Sequence, residues 1–223
     1  MDNIQKFDKL NNLTFEQYFG AMTISKSQKK ERVNFAKVLM DILLYVFSWA
    51  DVAHANDMNL SEIEEEIDNT LEWRLWDSIP TKIKHLMPDG ATVEDTYDMD
   101  LKAIPGLRDH IDAVALSIAS VTAAHLDDEY YTSYDRAFEI AGSETNAIYN
   151  ASEYNQAVAS GKTTKTWHTV KDEKTRVAHW DVDGQTVPIT QYFIVGGEPM
   201  KYAHDINASV NNTANCRCST SYQ

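Results

Sequence analysis

The sequence predicts an α+β protein, with a mainly helical N-terminal region followed by a small β-rich C-terminal module. Apolar residues recur at three- and four-residue steps in several segments of the first 160 residues, which indicates helices with one apolar face. After Gly161 the pattern changes to short runs of threonine, valine, isoleucine and aromatic residues between turn residues, which is typical of strands.

The composition agrees with a chain of two parts. Its 223 residues suggest one or two domains, and its content of 43% hydrophobic residues is enough for a packed core. The net charge of -14 is uneven, because the chain from Gly161 onward has seven basic and six acidic residues, a net +1, which leaves -15 for the first 160. This charge argues against a general DNA coat, since phosphate binding needs clustered lysine and arginine.

The first long helix is predicted to begin near Gln28, after a capping serine at Ser25 or Ser27. The most apolar stretch of the chain, residues 38–53, lies within this helix. It is shorter than a membrane span and contains Asp41, so we interpret it as a buried central helix and expect no membrane role.

A second helix is predicted to begin at Ser61, because Ser61 and Glu64 have the spacing of a capping box. Residues 88–100 follow as a predicted loop that opens with turn residues. The carboxylates of this loop lack the glycine and glutamate positions of a calcium-binding loop, so we do not predict calcium there.

A third helix is predicted from Leu107, and a further helix or pair of helices from about Glu129 to Ser160, interrupted near residues 141–143. We divide the chain after residue 140. Residues 1–140 form a helical docking region, and residues 141–223 form a connecting helix with the β-rich module.

The C-terminal module is predicted to contain strands in the runs KTWHTV, VAHWDV, QTVPI and QYFIV. Asp183–Gly184 lies between the second and third runs and predicts a hairpin turn, and Gly196–Gly197 ends the last. A module of about sixty residues needs large side chains for a core, so Trp167, Trp180 and Phe193 are predicted to be buried.

The chain has two cysteines, Cys216 and Cys218, which is too few for a disulfide framework and favours a reducing interior. The first ten residues lack the apolar segment of a signal peptide. One interpretation of the module is that its polar residues only maintain its shape.

A second interpretation is a zinc site. Its ligands would be His179, Cys216 and Cys218, with His168 or His204 as the fourth, since thiolate and imidazole suit zinc and small modules gain stability from it.

A third interpretation is a nuclease-like enzyme. His168, His179 and His204 would supply an acid and a base, and Arg176 would hold a phosphate.

Eleven residues near the C-terminus follow one another in a distinctive order: Trp167, Asp172, Arg176, His179, Asp183, Gly184, Phe193, Asn215, Cys216, Arg217 and Cys218. A helical stretch, residues 143–147 with Asn150 and Ala151, precedes them. This order resembles the C-terminal domain of the Mu F-like head morphogenesis, or minor capsid, proteins of tailed phages, over about residues 140–223.

The resemblance implies a non-enzymatic structural protein that is present in few copies in the virion, at the capsid interior or portal vertex, and in the host cytoplasm during assembly. Its implied partners are the phage portal protein and the major capsid protein, and its implied role is capsid assembly and DNA packaging or delivery. Weak contact with packaged DNA is expected through the near-neutral C-terminal module.

The resemblance also bears on zinc. Many relatives have Cys-x-x-Cys where this chain has Arg176-x-x-His179, and with the terminal Cys-x-Cys this implies a four-sulfur site. In this chain Arg176 removes one ligand, so the alternative is an ion pair of Arg176 with Asp172 or Asp183 that holds the module without metal.

Overall fold

The structure is a computed structural model that describes residues 13–82 and 104–223. It confirms the predicted α+β class, because long helices precede a small region of short strands near the C-terminus. The predicted loop at residues 88–100 lies outside the described residues.

Five helices form the first part of the described chain, and they are α1 (Phe15–Gly20), α2 (Lys26–Ala55), α3 (Leu60–Lys82), α4 (Leu107–Ala124) and α5 (Tyr134–Ala159). A 3₁₀ turn, Glu129–Thr132, connects α4 and α5. Helix α2 begins as predicted, because the Ser25 hydroxyl accepts the Gln28 N–H at 3.2 Å and the Gln28 side chain accepts the Ser25 N–H at 2.8 Å.

The predicted start of α3 is wrong by one residue. The helix begins at Leu60, and Asn59 caps it by accepting hydrogen bonds from the N–H of Ser61 at 2.9 Å and from its hydroxyl at 2.6 Å. Glu64 accepts a hydrogen bond from Ser120 on α4 instead of closing a capping box. Asparagine is as good an N-cap as serine, so the residue nearest the turn takes the role.

The predicted interruption at residues 141–143 is also wrong, because α5 runs unbroken from Tyr134 to Ala159. Gly142 marks a close contact instead of a break. A Cβ atom added there would lie 3.0 Å from Cζ of Tyr18, so the missing side chain lets the ring of α1 pack on the α5 backbone. The division of the chain after residue 140 stays a prediction.

Helix α2 is the centre of the helical part, where it packs against α1, α3 and α5, while α4 packs against α3. Its buried side chains include Phe35, Leu39, Leu43, Val46 and Phe47. Among the described residues, α2 alone is long and apolar enough to cross a membrane by length and composition, and 56% of its apolar window is buried inside the protein. A buried core helix also meets these criteria of length and composition.

The C-terminal strands are β1 (Thr164–His168), β2 (Thr186–Pro188), β3 (Phe193–Val195), β4 (Glu198–Met200) and β5 (Ser219–Tyr222). Strand β1 is the middle of an antiparallel sheet of order β2-β1-β5, with Thr166 opposite both Thr186 and Ser221. Strands β3 and β4 form a hairpin, and Gly196 and Gly197 turn it with φ angles of 58° and 85°, which favour glycine.

One predicted strand is a helical turn. The run VAHWDV contains α6 (Val177–Trp180), a single turn in which His179 is buried and Trp180 is 41% exposed. The predicted burial of Trp180 is therefore wrong, and so is the predicted two-residue hairpin at Asp183–Gly184. Gly184, with φ of 75°, instead donates its N–H to the Trp167 carbonyl of β1 at 2.9 Å. The chain then continues into β2, which pairs with β1.

Candidate functional site

The core of the C-terminal module is built around Trp167, which is fully buried on β1. The Phe193 ring packs edge-on against it at a centroid distance of 5.3 Å, and the His179 ring does so at 5.7 Å. Cys216 and Cys218 belong to the same buried cluster. The structure thus brings together five residues of the predicted motif that are up to 51 positions apart in the chain.

The segment before β5 places the two cysteines. It follows a short helical turn, α7 (Val210–Thr213), whose last carbonyl accepts the Cys216 N–H at 2.9 Å. Asn215 has a left-handed backbone with φ of 55°, which asparagine tolerates better than most residues. Its N–H donates to the Ser143 hydroxyl of α5 at 3.2 Å, so the turn is attached directly to the helical part.

Two asparagines of α5 hold the backbone of this segment. The Asn146 side-chain amide donates to the carbonyl oxygens of Cys216 at 2.8 Å and Cys218 at 3.1 Å. The Asn150 amide donates to the carbonyl oxygens of Ala203 at 2.8 Å and Cys218 at 3.1 Å. Because the two asparagines are four residues apart, both amides lie on one face of α5. They fix the direction of the Cys-x-Cys backbone.

Arg32 of α2 orients both amides. Its buried guanidinium donates to Oδ1 of Asn146 at 2.8 Å, to Oδ1 of Asn150 at 3.1 Å and to the Glu153 carboxylate at 2.9 Å. These bonds turn each Nδ2 group toward the cysteine segment. The sequence did not predict this network, although an arginine three residues before Phe35, within an apolar helix, is a signal for a buried and paired charge.

His179, Cys216 and Cys218 form a buried cluster, which we call the His–Cys–Cys cluster. Its three donor atoms lie within 4.8 Å of one another, and His179 Nδ1 lies 3.3 Å from the Cys218 sulfur and 3.6 Å from the Cys216 sulfur. The Thr169 hydroxyl lies 3.9 Å from the Cys218 sulfur and donates to the His179 carbonyl at 2.9 Å. All three residues of the cluster are buried.

The two cysteine thiols differ in how readily they lose a proton. The pKa of the Cys218 thiol is lowered, because Cys216 and then His179 hydrogen-bond to its thiolate. The pKa of the Cys216 thiol is raised well above its usual value, because Cys216 is the donor to Cys218 and is buried. A buried thiolate beside an imidazole is an environment that attracts a cation.

The cluster fits the ligand set of a zinc ion, but with three donors instead of four. His168, a predicted fourth ligand, is half-buried at the end of β1 and hydrogen-bonds through Nε2 to the Ser221 hydroxyl at 2.7 Å. His204, the other, is buried and hydrogen-bonds through Nδ1 to the Cys216 carbonyl at 3.1 Å. Neither belongs to the group of converging donor atoms.

Arg176 does not make the predicted ion pair with Asp172 or Asp183. Its guanidinium donates to the Ala214 carbonyl at 2.6 Å, just before the cysteine segment. Asp172 pairs instead with Arg217 at 2.7 Å. Asp183 pairs with Lys171 at 3.0 Å and accepts the Thr169 N–H at 2.8 Å. The charged motif residues therefore hold the loops around the cluster, but Arg176, Asp172 and Asp183 have other partners than the predicted ones.

The residues of the nuclease interpretation have separate surroundings. His179 faces two sulfurs inside the module, Arg176 holds a loop carbonyl, and His168 faces Ser221 across β1 and β5. Arg176 and His179 line one small cavity together, and His168 is not among its lining residues. The three side chains therefore have different partners in the structure.

An ion pair between two helices, beside the module, depends on pH. His110 of α4 and Glu144 of α5 form an ion pair of 2.8 Å beside His204. Burial opposes the charge of His110, but the hydrogen bond and charge of Glu144 raise the pKa of His110 above 6.5. Burial likewise opposes the charge of Glu144, but His110 lowers its pKa below 4.5. Burial lowers the pKa of His204 to about 4, so this histidine is neutral near pH 7.

We expect this pair to stabilise the fold most between the unfolded pKa values of Glu144 and His110. The His110 contribution is complete below pH 6.5 and is lost as the pH rises through the raised folded pKa. The urea concentration at the unfolding midpoint of the wild type should therefore fall as the pH rises above 6.5. The His110→Gln variant should lack this part of the fall, and the exposed control His125→Gln should keep it. An unchanged slope in His110→Gln would contradict the assignment.

Together these features define a small α+β protein whose C-terminal module is closed around a buried aromatic and His–Cys–Cys core and is bonded to its helical part through a polar network. The chain belongs to the phage Mu protein F-like family. The family model described as "Phage Mu protein F like protein" matches residues 109–221, from helix α4 to strand β5. The predicted resemblance is thus confirmed, and the family is one of phage head morphogenesis proteins.

Comparisons with curated proteins and with solved structures each found no match. The family match begins at residue 109, earlier than the resemblance noticed in the sequence from about residue 140. The additional part is helix α4 and the 3₁₀ turn, which pack beside α3 and α5.

Proposed function

We propose that the protein is a minor structural component of a tailed-phage head, present in few copies at the portal vertex or the capsid interior. It acts in capsid assembly and in DNA packaging or delivery. The family match over residues 109–221 is the observation that supports this proposal. Its proposed partners are the portal protein and the major capsid protein.

The geometry of the matched region supports a structural role. The most distinctive motif residues are buried in the module core or hold its loops, as Trp167, His179 and Cys218 show. The three candidate catalytic side chains each bond to a different partner within the module, which is typical of residues that hold a fold together.

Exposed apolar side chains on the C-terminal module are the proposed contact points with the head. Val177 on α6 is 77% exposed, Ile194 on β3 is 59% exposed, and Val210 on α7 is also exposed. Side chains of this kind at the centre of an interface supply binding free energy when they are desolvated. We place contact with packaged DNA on the same module, because the first 160 residues have a net charge of -15 and repel phosphate.

The proposal is tested by mass spectrometry of purified virions and of head-assembly intermediates, with the copy number per particle. We expect the protein in both samples, at a few copies per particle, and expect it to co-purify with the portal or the major capsid protein. Absence from virions and from intermediates would refute the proposal.

The contact points are tested with a matched pair of variants. Ile194→Glu and Val52→Glu each place a charge at an apolar side chain that is 59% exposed, the first on the module and the second on α2. We expect Ile194→Glu to reduce incorporation into heads and Val52→Glu to leave it unchanged, with both proteins folded by circular dichroism. Equal incorporation of both variants would show that the exposed apolar side chains of the module are not the contact points with the head.

A further inference from the structure

We propose that the His–Cys–Cys cluster binds one zinc ion, through Nδ1 of His179 and the sulfur atoms of Cys216 and Cys218. These three donor atoms come from two separate segments and lie within 4.8 Å of one another. Zinc bonds to sulfur at about 2.3 Å and to imidazole nitrogen at about 2.0 Å, so an ion between donors at this spacing reaches all three with small side-chain movements.

The donor chemistry selects the metal class. Two thiolates and an imidazole are soft and intermediate ligands that suit zinc, whereas calcium and magnesium need oxygen ligands. A divalent ion with two thiolates and one neutral imidazole has no net charge. This matters because the cluster is buried, and burial of an uncompensated charge is costly.

The chain holds the ligand segments in place before an ion arrives. Asn146 fixes the carbonyls of both cysteines, and Asn150 fixes that of Cys218. The Thr169 hydroxyl fixes the His179 carbonyl. Supporting bonds of this kind orient metal ligands and raise affinity, because less order must be gained on binding.

Space for a fourth ligand exists beside the three donors. A cavity of about 10 Å³ is lined by all three cluster residues and by Arg176 and Thr175. This volume is close to that of one water-sized probe, so we assign the fourth zinc ligand to a water molecule. Arg176 also lines this cavity, and its guanidinium donates to the loop carbonyl of Ala214 at 2.6 Å.

The first test is metal analysis of the full chain, purified from a zinc-containing medium without chelator and also after zinc reconstitution. We expect one zinc per folded chain, and a zinc affinity that falls by at least about 100-fold in His179→Ala and in Cys218→Ser. The control His168→Ala changes a half-buried histidine of the same module that lies outside the cluster, and it should retain full stoichiometry and affinity.

The second test replaces zinc with cobalt, whose absorption reports its ligands. We expect a thiolate-to-cobalt charge-transfer band in the wild type and d–d bands of four-coordinate intensity. His179→Cys should still bind cobalt and should raise the charge-transfer intensity by roughly half, because three thiolates replace two. This variant decides the proposal even where the serine and alanine variants fail to fold.

Several results would overturn the proposal. One is a folded wild-type chain that takes up less than about a tenth of an equivalent of zinc after reconstitution and shows no cobalt–thiolate band. Others are a zinc affinity unchanged in a folded His179→Ala variant, or no gain of charge-transfer intensity in His179→Cys. None of these outcomes bears on incorporation into phage heads, so the two proposals fail independently.

Discussion

Replacing Arg32 with leucine is expected to lower the free energy of unfolding by about 3–5 kcal/mol, the usual cost of removing one partner of a buried ionic network. Leucine keeps apolar volume against the α2 and α5 side chains. It leaves the Oδ1 atoms of Asn146 and Asn150 without their donor, and it also removes the partner of Glu153. Urea denaturation followed by circular dichroism measures the change.

The matched control is Lys37→Leu on the same helix. Lys37 also pairs with a glutamate, Glu16 at 2.7 Å, but both side chains are exposed, and such pairs contribute at most about 1 kcal/mol. A similar loss in both variants would show that the Arg32 network is not a stabilising unit.

The Arg32→Leu variant is also expected to affect the two cysteines, whose carbonyls accept hydrogen bonds from Asn146 and Asn150. Without the guanidinium, the amides of Asn146 and Asn150 are free to turn away from the cysteine carbonyls. We expect both thiols to react faster with a thiol reagent under native conditions in Arg32→Leu than in the wild type or in Lys37→Leu. Equal thiol reactivity in the three proteins would separate the network from the His–Cys–Cys cluster.

Replacing Trp167 with alanine is expected to lower the free energy of unfolding by about 3–5 kcal/mol, the usual cost of a large aromatic side chain removed from a core. The Trp167 ring is fully buried and packs against the rings of Phe193 and His179. Its loss leaves a cavity at the centre of a module that has few other large apolar side chains. Denaturant titration monitored by far-ultraviolet circular dichroism measures the change.

The control for this prediction is Trp73→Ala, because Trp73 is 65% exposed on α3. Substitutions of exposed side chains usually change stability by no more than about 0.5 kcal/mol. We expect the Trp167 variant to lose the tertiary signal of the module first. A loss below about 1 kcal/mol in Trp167→Ala would mean that the module is held chiefly by its contacts to α5.

Features that depend on neighbouring residues in the chain could be predicted before the structure was known. The apolar period of residues 33–50 indicated α2, because helices form through bonds between residues three and four positions apart, and a capping serine at Ser25 or Ser27 indicated its start. The order of the motif residues was enough to identify the family. The α+β class followed from the change of pattern after Gly161.

Local patterns failed where packing overrode propensity. The run VAHWDV has the composition of a strand, yet it forms a helical turn that directs His179 inward and leaves Val177 and Trp180 at the surface. Strand propensity is a weak preference, and the contacts of a single buried side chain exceed it. The cap of α3 was missed for a local reason, because Asn59 is as good an N-cap as Ser61 and lies nearer the turn.

The contacts between polar side chains that are far apart in the chain could be found only from the folded structure. His179 lies 39 residues from Cys218, and Arg32 lies 114 residues from Asn146 and 118 from Asn150. No periodicity in the chain encodes such separations, because these contacts form only after the helices and strands have packed. The sequence supplied the donor and acceptor groups, and the fold placed them at bonding distance, since a buried polar group is stable only when it has a partner.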